Sequence, residues 1–354
     1  MDKLLTLCAL SRHNNTTLVF SLLKEIFMNL KKLMIIAFLL LGLDFGTSTV
    51  SVHAQIFVVD NYSNGITTLP NNASGNTPAL TNIVGANTTL NNPLGLAVDK
   101  NWIYVASIGD ASIDIFPING TGDIAPARSI SGASTTLNSA AGVAVDDSWI
   151  YVADGIGNKI VVFPLDGSGN IAPSRTISGG STTLNDPLGV TVDKNWIYVA
   201  NALAPSILVF PIDAAGNIAP TRNISGGNTT LSIPYSTAVD GDLMYVANHG
   251  GYNIVVFPLD GTGNIVPTRS VSASTSNMFE PSGVAIHEGF MYVGNRNTNS
   301  IMVFPAQASG DVTPSYSISG ASTTLSGPAG IVINTPTFPW VMFQPLFNNK
   351  EVQN

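Results

Sequence analysis

The chain has little of what most hydrolytic and metal centres are built from. Of its 354 residues one is cysteine, Cys8, and four are histidine. Glutamate is scarce too, with only Glu280, Glu288 and Glu351 beyond residue 54. Past Cys8 there is no thiolate to act as nucleophile or zinc ligand, and no run of histidines at zinc-site spacing. The serine pattern of a nucleophile elbow is missing as well. Charge is thin and acidic: 14 Lys and Arg stand against 22 Asp and Glu, a formal net charge of -8. Nucleic acid, which is bound through basic surface, is excluded as a partner.

Long apolar runs are also few, and the main one lies near the amino end. Met28 reads as a start, followed by Lys31 and Lys32, an apolar stretch from Leu33 to Leu43, and the small-residue sequence Val52, His53, Ala54. That order of basic, apolar and small residues is a secretory signal, and the apolar part is shorter than the roughly 20 residues that span a bilayer. The expectation is cleavage after Ala54, a mature chain from Gln55 with no transmembrane span, and export to the periplasm or the cell exterior. Residues 1–27 are then an upstream extension with no structural role. Removing residues 1–54 leaves 9 basic and 19 acidic residues, so the net charge becomes -10. A chain of this length buries enough core to dispense with disulfides and is expected to be a monomer.

What fills the rest is a repeat. Gly95, Gly142, Gly189, Ser236, Gly283 and Gly330 lie 47 residues apart, with the same interval from Phe57 through Tyr104, Tyr151, Tyr198 and Tyr245 to Tyr292. A period in the range of about 20 to 50 residues marks a solenoid, a propeller or an array. Within one unit, Gly189–Asp193 reads as a first strand, Trp196–Ala200 as a second, Ile207–Pro211 as a third and Pro220–Ser225 as a fourth, each bounded by turn residues. Second and third strands are continuous apolar runs, which requires both sheet faces to be buried. Four such strands per unit are a propeller blade. Proline followed two residues later by Arg128, Arg175, Arg222 or Arg269 marks the fourth strand as an outer edge guarded against pairing.

Five whole units run from Pro93 to Leu325. Before them, residues 56–90 supply second, third and fourth strands without a first; after them, Gly330–Asn334 is a first strand with nothing following. The two remnants complement one another. The prediction is an all-β, six-bladed β-propeller over residues 55–334, closed by pairing of the two ends in one blade, with residues 335–354 as an apolar tail over the lower rim.

The phrases Gly-Val-Ala-Val-Asp, Trp-Ile-Tyr-Val-Ala-Asp or -Asn, and Ile-Val-Val-Phe-Pro resemble the repeats of the NHL and YVTN class of bacterial propellers. The resemblance covers residues 55–334 and implies the fold. For function it implies only a spread, since the class includes lactonases, lyases and binding proteins. Ser236 in place of glycine, and His287 and Asn334 in place of the aspartate at Asp99, Asp146, Asp193 and Asp240, depart from the repeat.

If first strands run from an upper to a lower rim, the loops after the second strands gather at the upper mouth. These contribute Asp60, Asn61, Tyr62, Ser107, Asp110, Asp154, Asn158, Asn201, Asn248, His249, Asn295 and Arg296 as candidate ligand-binding residues. Asp60, Asp154, Asn201, Asn248 and Asn295 offer oxygen donors that suit calcium, although Asp and Asn also cap turns through their own backbone. The four aspartates of the lower rim read as turn caps, and Asp166–Asn170 as a hairpin turn. His249 and His287 fall at opposite rims, roughly 15 Å or more apart along the strand direction, so they cannot share a site. The gluconolactonase type, which resembles this fold, holds calcium with a mouth glutamate for which Glu280 is the one substitute here. The leading expectation is a non-catalytic exported propeller without a cofactor, presenting its upper face to a protein, glycan or small ligand. The alternatives are a calcium-dependent lactonase- or lyase-like enzyme at the same mouth, or a structural envelope or matrix component.

Overall fold

The computed structural model describes residues 54–334; the leader and the apolar tail, at 1–53 and 335–354, lie outside the described residues. Six four-stranded antiparallel blades follow one another along the chain, the fifth extended in parallel by the two-residue strand Gly310–Asp311. Blade 2 is formed by Pro93–Val98, Trp102–Ser107, Ser112–Pro117 and Arg128–Ile130. Blades 3, 4 and 5 open with Ala140–Val145, Pro187–Val192 and Pro234–Asp240 and end with Arg175–Ser178, Arg222–Ser225 and Arg269–Ser272. Blade 6 runs from Pro281–His287 to Tyr316–Ile318. Blade 1 is composite: the last described strand, Pro328–Asn334, lies beside Gln55–Asp60, followed by Gly65–Pro70 and Thr81–Ile83. Its register pairs Gln55 with Asn334, Phe57 with Val332 and Val58 with Ile331.

Why the chain adopts blades is visible in burial. Second strands such as Trp149–Asp154 and third strands such as Ser206–Pro211 are buried at nearly every position. Both faces of each sheet therefore need an apolar neighbour, and the buried residues fall into six clusters, one between each adjacent pair of blades. One of these joins Ile56, Val58 and Ile331 of blade 1 to Tyr292, Ile301 and Val303 of blade 6, so the ring is closed across the chain ends.

The first strands stand next to one another around the axis, and there glycine is a matter of space. A Cβ on Gly142 would lie 2.5 Å from the carbonyl oxygen of Leu188, and one on Gly95 2.5 Å from that of Ala141. Ser236 breaks this rule, and its Oγ is buried without a hydrogen-bond partner.

The outer edge differs from the sequence expectation. The prolines precede the fourth strands, which begin at Arg128, Arg175, Arg222 and Arg269. The arginines are ties between blades: Arg175 Nη1 donates to the carbonyl of Ile212 at 2.8 Å, and the guanidinium stacks 5.3 Å above the Trp149 ring. Nor are the outer edges bare. The third residue of each fourth strand bridges in parallel to a glycine of the next unit, Ile130 to Gly169 and Ile177 to Gly216 among them, and Ile318 of blade 6 to Gly75 of blade 1. The residue after that glycine completes a clasp: Asn170 accepts the Ser134 N–H at 2.7 Å, and Asn76 accepts that of Ser322 at 2.8 Å. The stretch Asp166–Asn170, read from sequence as a hairpin turn, thus has a second use between blades.

Candidate functional site

At the lower rim the aspartates serve the fold. Asp99, Asp146 and Asp193 each accept two backbone N–H groups of the following turn with Oδ1 and a tyrosine hydroxyl with Oδ2, Tyr151 to Asp146 at 2.7 Å. Burial first, and then that bond, push the Tyr151 hydroxyl up to about 12. A crevice between blades 3 and 4, about 620 Å³, is lined by Asp146, Asp193 and Arg175, all three engaged in these structural contacts. His287 belongs to this rim, beside Glu288.

The upper rim is where the first strands begin and the second strands end, as the pairing of Pro187 with Asn201 and of Pro281 with Asn295 shows. An axial channel of about 340 Å³ runs down from it between the six first strands. The five residues with calcium-type donors occupy one repeat position, the last of the second strand, and all are buried. Each turns into its own blade's loop. Asp154 accepts the N–H groups of Asn138 and Ser139 at 3.0 and 2.7 Å and pairs with Lys159 at 3.3 Å. Asn201 accepts the Asn185 N–H at 2.6 Å and donates to the carbonyls of Thr183 and Ala204. Asn248 and Asn295 repeat that arrangement, accepting the N–H groups of Ser232 and Phe279. Asp60 accepts the Ser326 N–H at 2.9 Å and the Thr67 hydroxyl at 2.5 Å. Burial raises its carboxyl to about 7, against the opposing pull of those two bonds. Among the described residues no three His, Cys, Asp or Glu side chains gather as a metal-holding group.

Asn158 is a turn residue at φ 49 whose Oδ1 accepts the Asp186 N–H of the next blade. Asp110 is exposed and accepts Asn91 Nδ2 at 3.0 Å.

Ser107, at the same repeat position as Asp154, is buried with its Oγ unpartnered, and the other four candidates, Asn61, Tyr62, His249 and Arg296, come together. Directly after the second strands the repeat position reads Asn61, Ile108, Gly155, Ala202, His249 and Arg296. Its three polar members belong to blades 5, 6 and 1, which are consecutive around the ring. Arg296 reaches to both sides: Nη1 donates to the Tyr235 hydroxyl of blade 5 at 3.2 Å, and Nη2 donates to Asn61 Oδ1 of blade 1. Asn61 Nδ2 passes the chain on to Asn92 Oδ1 at 2.5 Å and the Pro93 carbonyl at 2.9 Å. His249 stacks on Tyr235, ring centroids 4.7 Å apart. The guanidinium lies 5.2 Å above the Tyr62 ring, whose hydroxyl donates to Asn297. Burial lowers the His249 pKa and Arg296 adds to the effect, with Glu280 opposing, so the imidazole is neutral at pH 7 and Arg296 is the cation of this arc.

Tyr235 is the member that motif reading misses. It had a signal, because its repeat position is otherwise Leu94, Ala141, Leu188, Ser282 and Ala329. Beside it Ile233 is held at φ 49, where a β-branched side chain is strained, and Glu280 at φ 53 occupies the same place in blade 6. Large apolar side chains stand exposed along the same rim: Ile156, Leu203, Tyr252 and Phe279, the last two in edge-to-face contact.

Among the described residues no helix is long and apolar enough to cross a membrane. No family model matches the chain, and no curated protein matches its sequence. Solved structures do. A chain from the nidogen/laminin complex superposes with a TM-score of 0.61 at 16% identity, covering 80% of this chain and 100% of that one. A protein of unknown function from Bacteroides caccae gives 0.59 at 11% identity over 79% and 98% of the two chains. A putative 6-phosphogluconolactonase from Bacteroides uniformis ATCC 8492 gives 0.53 at 19% identity over 76% and 84%. At these identities the likeness is one of fold, and the fold is the six-bladed β-propeller.

Proposed function

We propose that the protein is an exported, non-catalytic binding propeller of the NHL and YVTN repeat type, which takes a protein, glycan or small ligand at its upper face. The observation that carries this reading is the arc of Asn61, Arg296, Tyr235 and His249. Polar groups appear there at positions where the other blades carry isoleucine, glycine, alanine, leucine or the small serine Ser282, so the repeat scaffold does not require them. Nothing in the arc has the makings of a nucleophile with its base: His249 is stacked on a tyrosine ring and its Nδ1 is buried without a partner. A rigid ring with variable loops on one rim is the common arrangement of binding scaffolds.

The test is a glycan array and a soluble-metabolite screen by thermal shift, run on the protein from Gln55 onward. Ligands are expected to bind the wild type and to be lost in the double variant Tyr62→Ala, Arg296→Gln. Ligands indifferent to those changes would move the site elsewhere.

A calcium-dependent lactonase or lyase is the second reading, supported by the fold likeness to a putative lactonase and by Glu280 on the upper rim. Against it, a cation at Asp154, Asn201, Asn248 and Asn295 would have to displace the loop N–H groups those oxygens already accept. Calorimetry with millimolar calcium is expected to give no heat. Heat that vanishes in Asp154→Ala would favour the enzyme.

A further inference from the structure

We infer that the arc on blades 5, 6 and 1 is a subsite for a saccharide bearing a single carboxylate, of the hexuronic acid kind; this rests on the binding reading above and names its ligand class. Four arginines of the molecule, at the head of the fourth strands, are tied to main-chain or side-chain oxygens between blades. Arg296 differs in place: it stands at the upper mouth, at a repeat position that blades 2, 3 and 4 fill with Ile108, Gly155 and Ala202. Among the described residues no carboxylate lies within salt-bridge distance of it, its acceptors are a neutral amide and a tyrosine hydroxyl, and its Nε, like those of Arg222 and Arg269, is buried without a hydrogen-bond partner. A partly buried cation is ordinarily paired, because desolvation without a counter-charge is costly. The guanidinium therefore has capacity left for an anion, and its planar fork suits a carboxylate.

The charge around it limits which anion. Asp186 and Glu280 stand on the same rim, near enough for their charges to act on Tyr235, and the whole chain is acidic. With His249 neutral, one positive charge faces two negative ones, so a phosphate dianion or an oligoanionic peptide is disfavoured. A lone carboxylate on an otherwise hydroxylated ligand meets the least of that repulsion while keeping its contact with the guanidinium. The rim around it is suited to a sugar ring: Tyr62, under the guanidinium, and Tyr252, on the same rim, present rings that are 54% and 50% exposed, and the exposed Asn297 amide accepts the Tyr62 hydroxyl and leaves its Nδ2 for a ligand hydroxyl. Aromatic faces give contact area at low entropic cost, and amides give directional bonds.

The experiment titrates the protein from Gln55 onward with the methyl glycoside of galacturonate, which carries one carboxylate, with its methyl ester, and with an acidic tripeptide, by calorimetry. The uronate is expected to bind, and its ester to bind about tenfold to a hundredfold more weakly, the loss of one charge-assisted contact. Arg296→Gln is expected to bring the acid down to the ester's affinity without changing the ester. Lys194→Gln, which removes the same charge from the exposed lower rim, is expected to change neither. Equal affinity for acid and ester, a peptide that binds as well as the sugar, or no saccharide binding at all would overturn the assignment; the ester arm decides this even if Arg296→Gln does not fold. The binding reading fails separately, if array ligands ignore the arc.

Discussion

Asp60 accepts a hydrogen bond from the backbone N–H of Ser326, 266 residues further along the chain, at 2.9 Å. That bond fastens the loop leading into the closing strand to the amino-terminal part of blade 1. It is made by a carboxyl with 1% exposure whose pKa is raised by burial from 3.8 to about 7. The folded state thus holds this proton more tightly than the unfolded chain does. The corresponding stability is complete below about pH 4, declines as pH rises toward 7 and is absent above that, a difference of up to about 4 kcal/mol. Asn201, Asn248 and Asn295 occupy the same repeat position. Asp60→Asn is expected to keep the Ser326 bond, donate to the Thr67 hydroxyl and remove the penalty of the buried charge. Thermal melts from pH 4 to 8 should show the variant more stable than wild type above pH 7, with the gap closing toward pH 4. Asp114 in blade 2 is shifted in the same direction by burial, so the difference between the two proteins, and not the wild-type slope, reports on Asp60.

Truncation after Gly327 removes Pro328–Asn334 and with it the inner strand of blade 1. Ile331, Val332 and Ile333 are worth roughly 1.5 to 3 kcal/mol each as an upper estimate, against a typical total of about 5 to 15 kcal/mol. Loss of the strand also leaves the Gln55–Asp60 edge unpaired. The truncated protein is expected to aggregate or to lack a cooperative melt in circular dichroism. A melt equal to that of the full-length protein would refute closure by the carboxyl end.

The fold could be read from the sequence because the repeat holds its 47-residue register without a gap, so strands identified in one unit could be copied to all six. The site was legible only in part. Asn, Asp and His after a strand look alike whether they face a mouth or their own loop, and at Asp60, Asp154, Asn201, Asn248 and Asn295 the loop takes the side chain. What separates the two is difference between blades at one repeat position. Asn61, His249 and Arg296 replace Ile108, Gly155 and Ala202, and Tyr235 replaces leucine, alanine or serine; neither change helps a sheet. The arginines lie on the outermost strands as their sequence suggests, but their role as ties was not legible, since their carbonyl partners lie 37 or more residues away in the neighbouring blade.

Glycines with and without a spatial duty should behave oppositely. At Gly142 a Cβ would lie 2.5 Å from the Leu188 carbonyl oxygen, and the neighbouring first strand would have to move. Gly142→Ala is expected to cost about 1 to 3 kcal/mol, read as a lowered denaturation midpoint in urea. Gly180, at the start of a short 3₁₀ turn, has nothing within 4 Å of that position and no left-handed φ. Gly180→Ala should be neutral or stabilising by about 0.5 kcal/mol, through the unfolded chain. Equal effects would mean that the inner ring is loose enough to absorb a methyl group.

Blade 2 carries a defect that the other blades show how to repair. Ser107 stands where Asp60, Asp154, Asn201, Asn248 and Asn295 brace the loop, but its hydroxyl is too short, and its Oγ is buried without a partner. The loop it should brace keeps the common path: the Gly109 N–H donates to the Asn91 carbonyl as the Leu203 N–H does to that of Asn185. An asparagine at 107 would therefore meet the counterparts of its partners in blade 4, accepting from the Asn91 N–H and donating to the Thr89 carbonyl and Ser112 Oγ. Satisfying the orphan position is expected to add about 1 kcal/mol. Ser107→Asn should raise the thermal midpoint by a few degrees, and amide exchange at Asn91 should slow. A lowered midpoint with unchanged exchange would mean that blade 2 has repacked around the smaller residue, and that the equivalence of the six loops ends there.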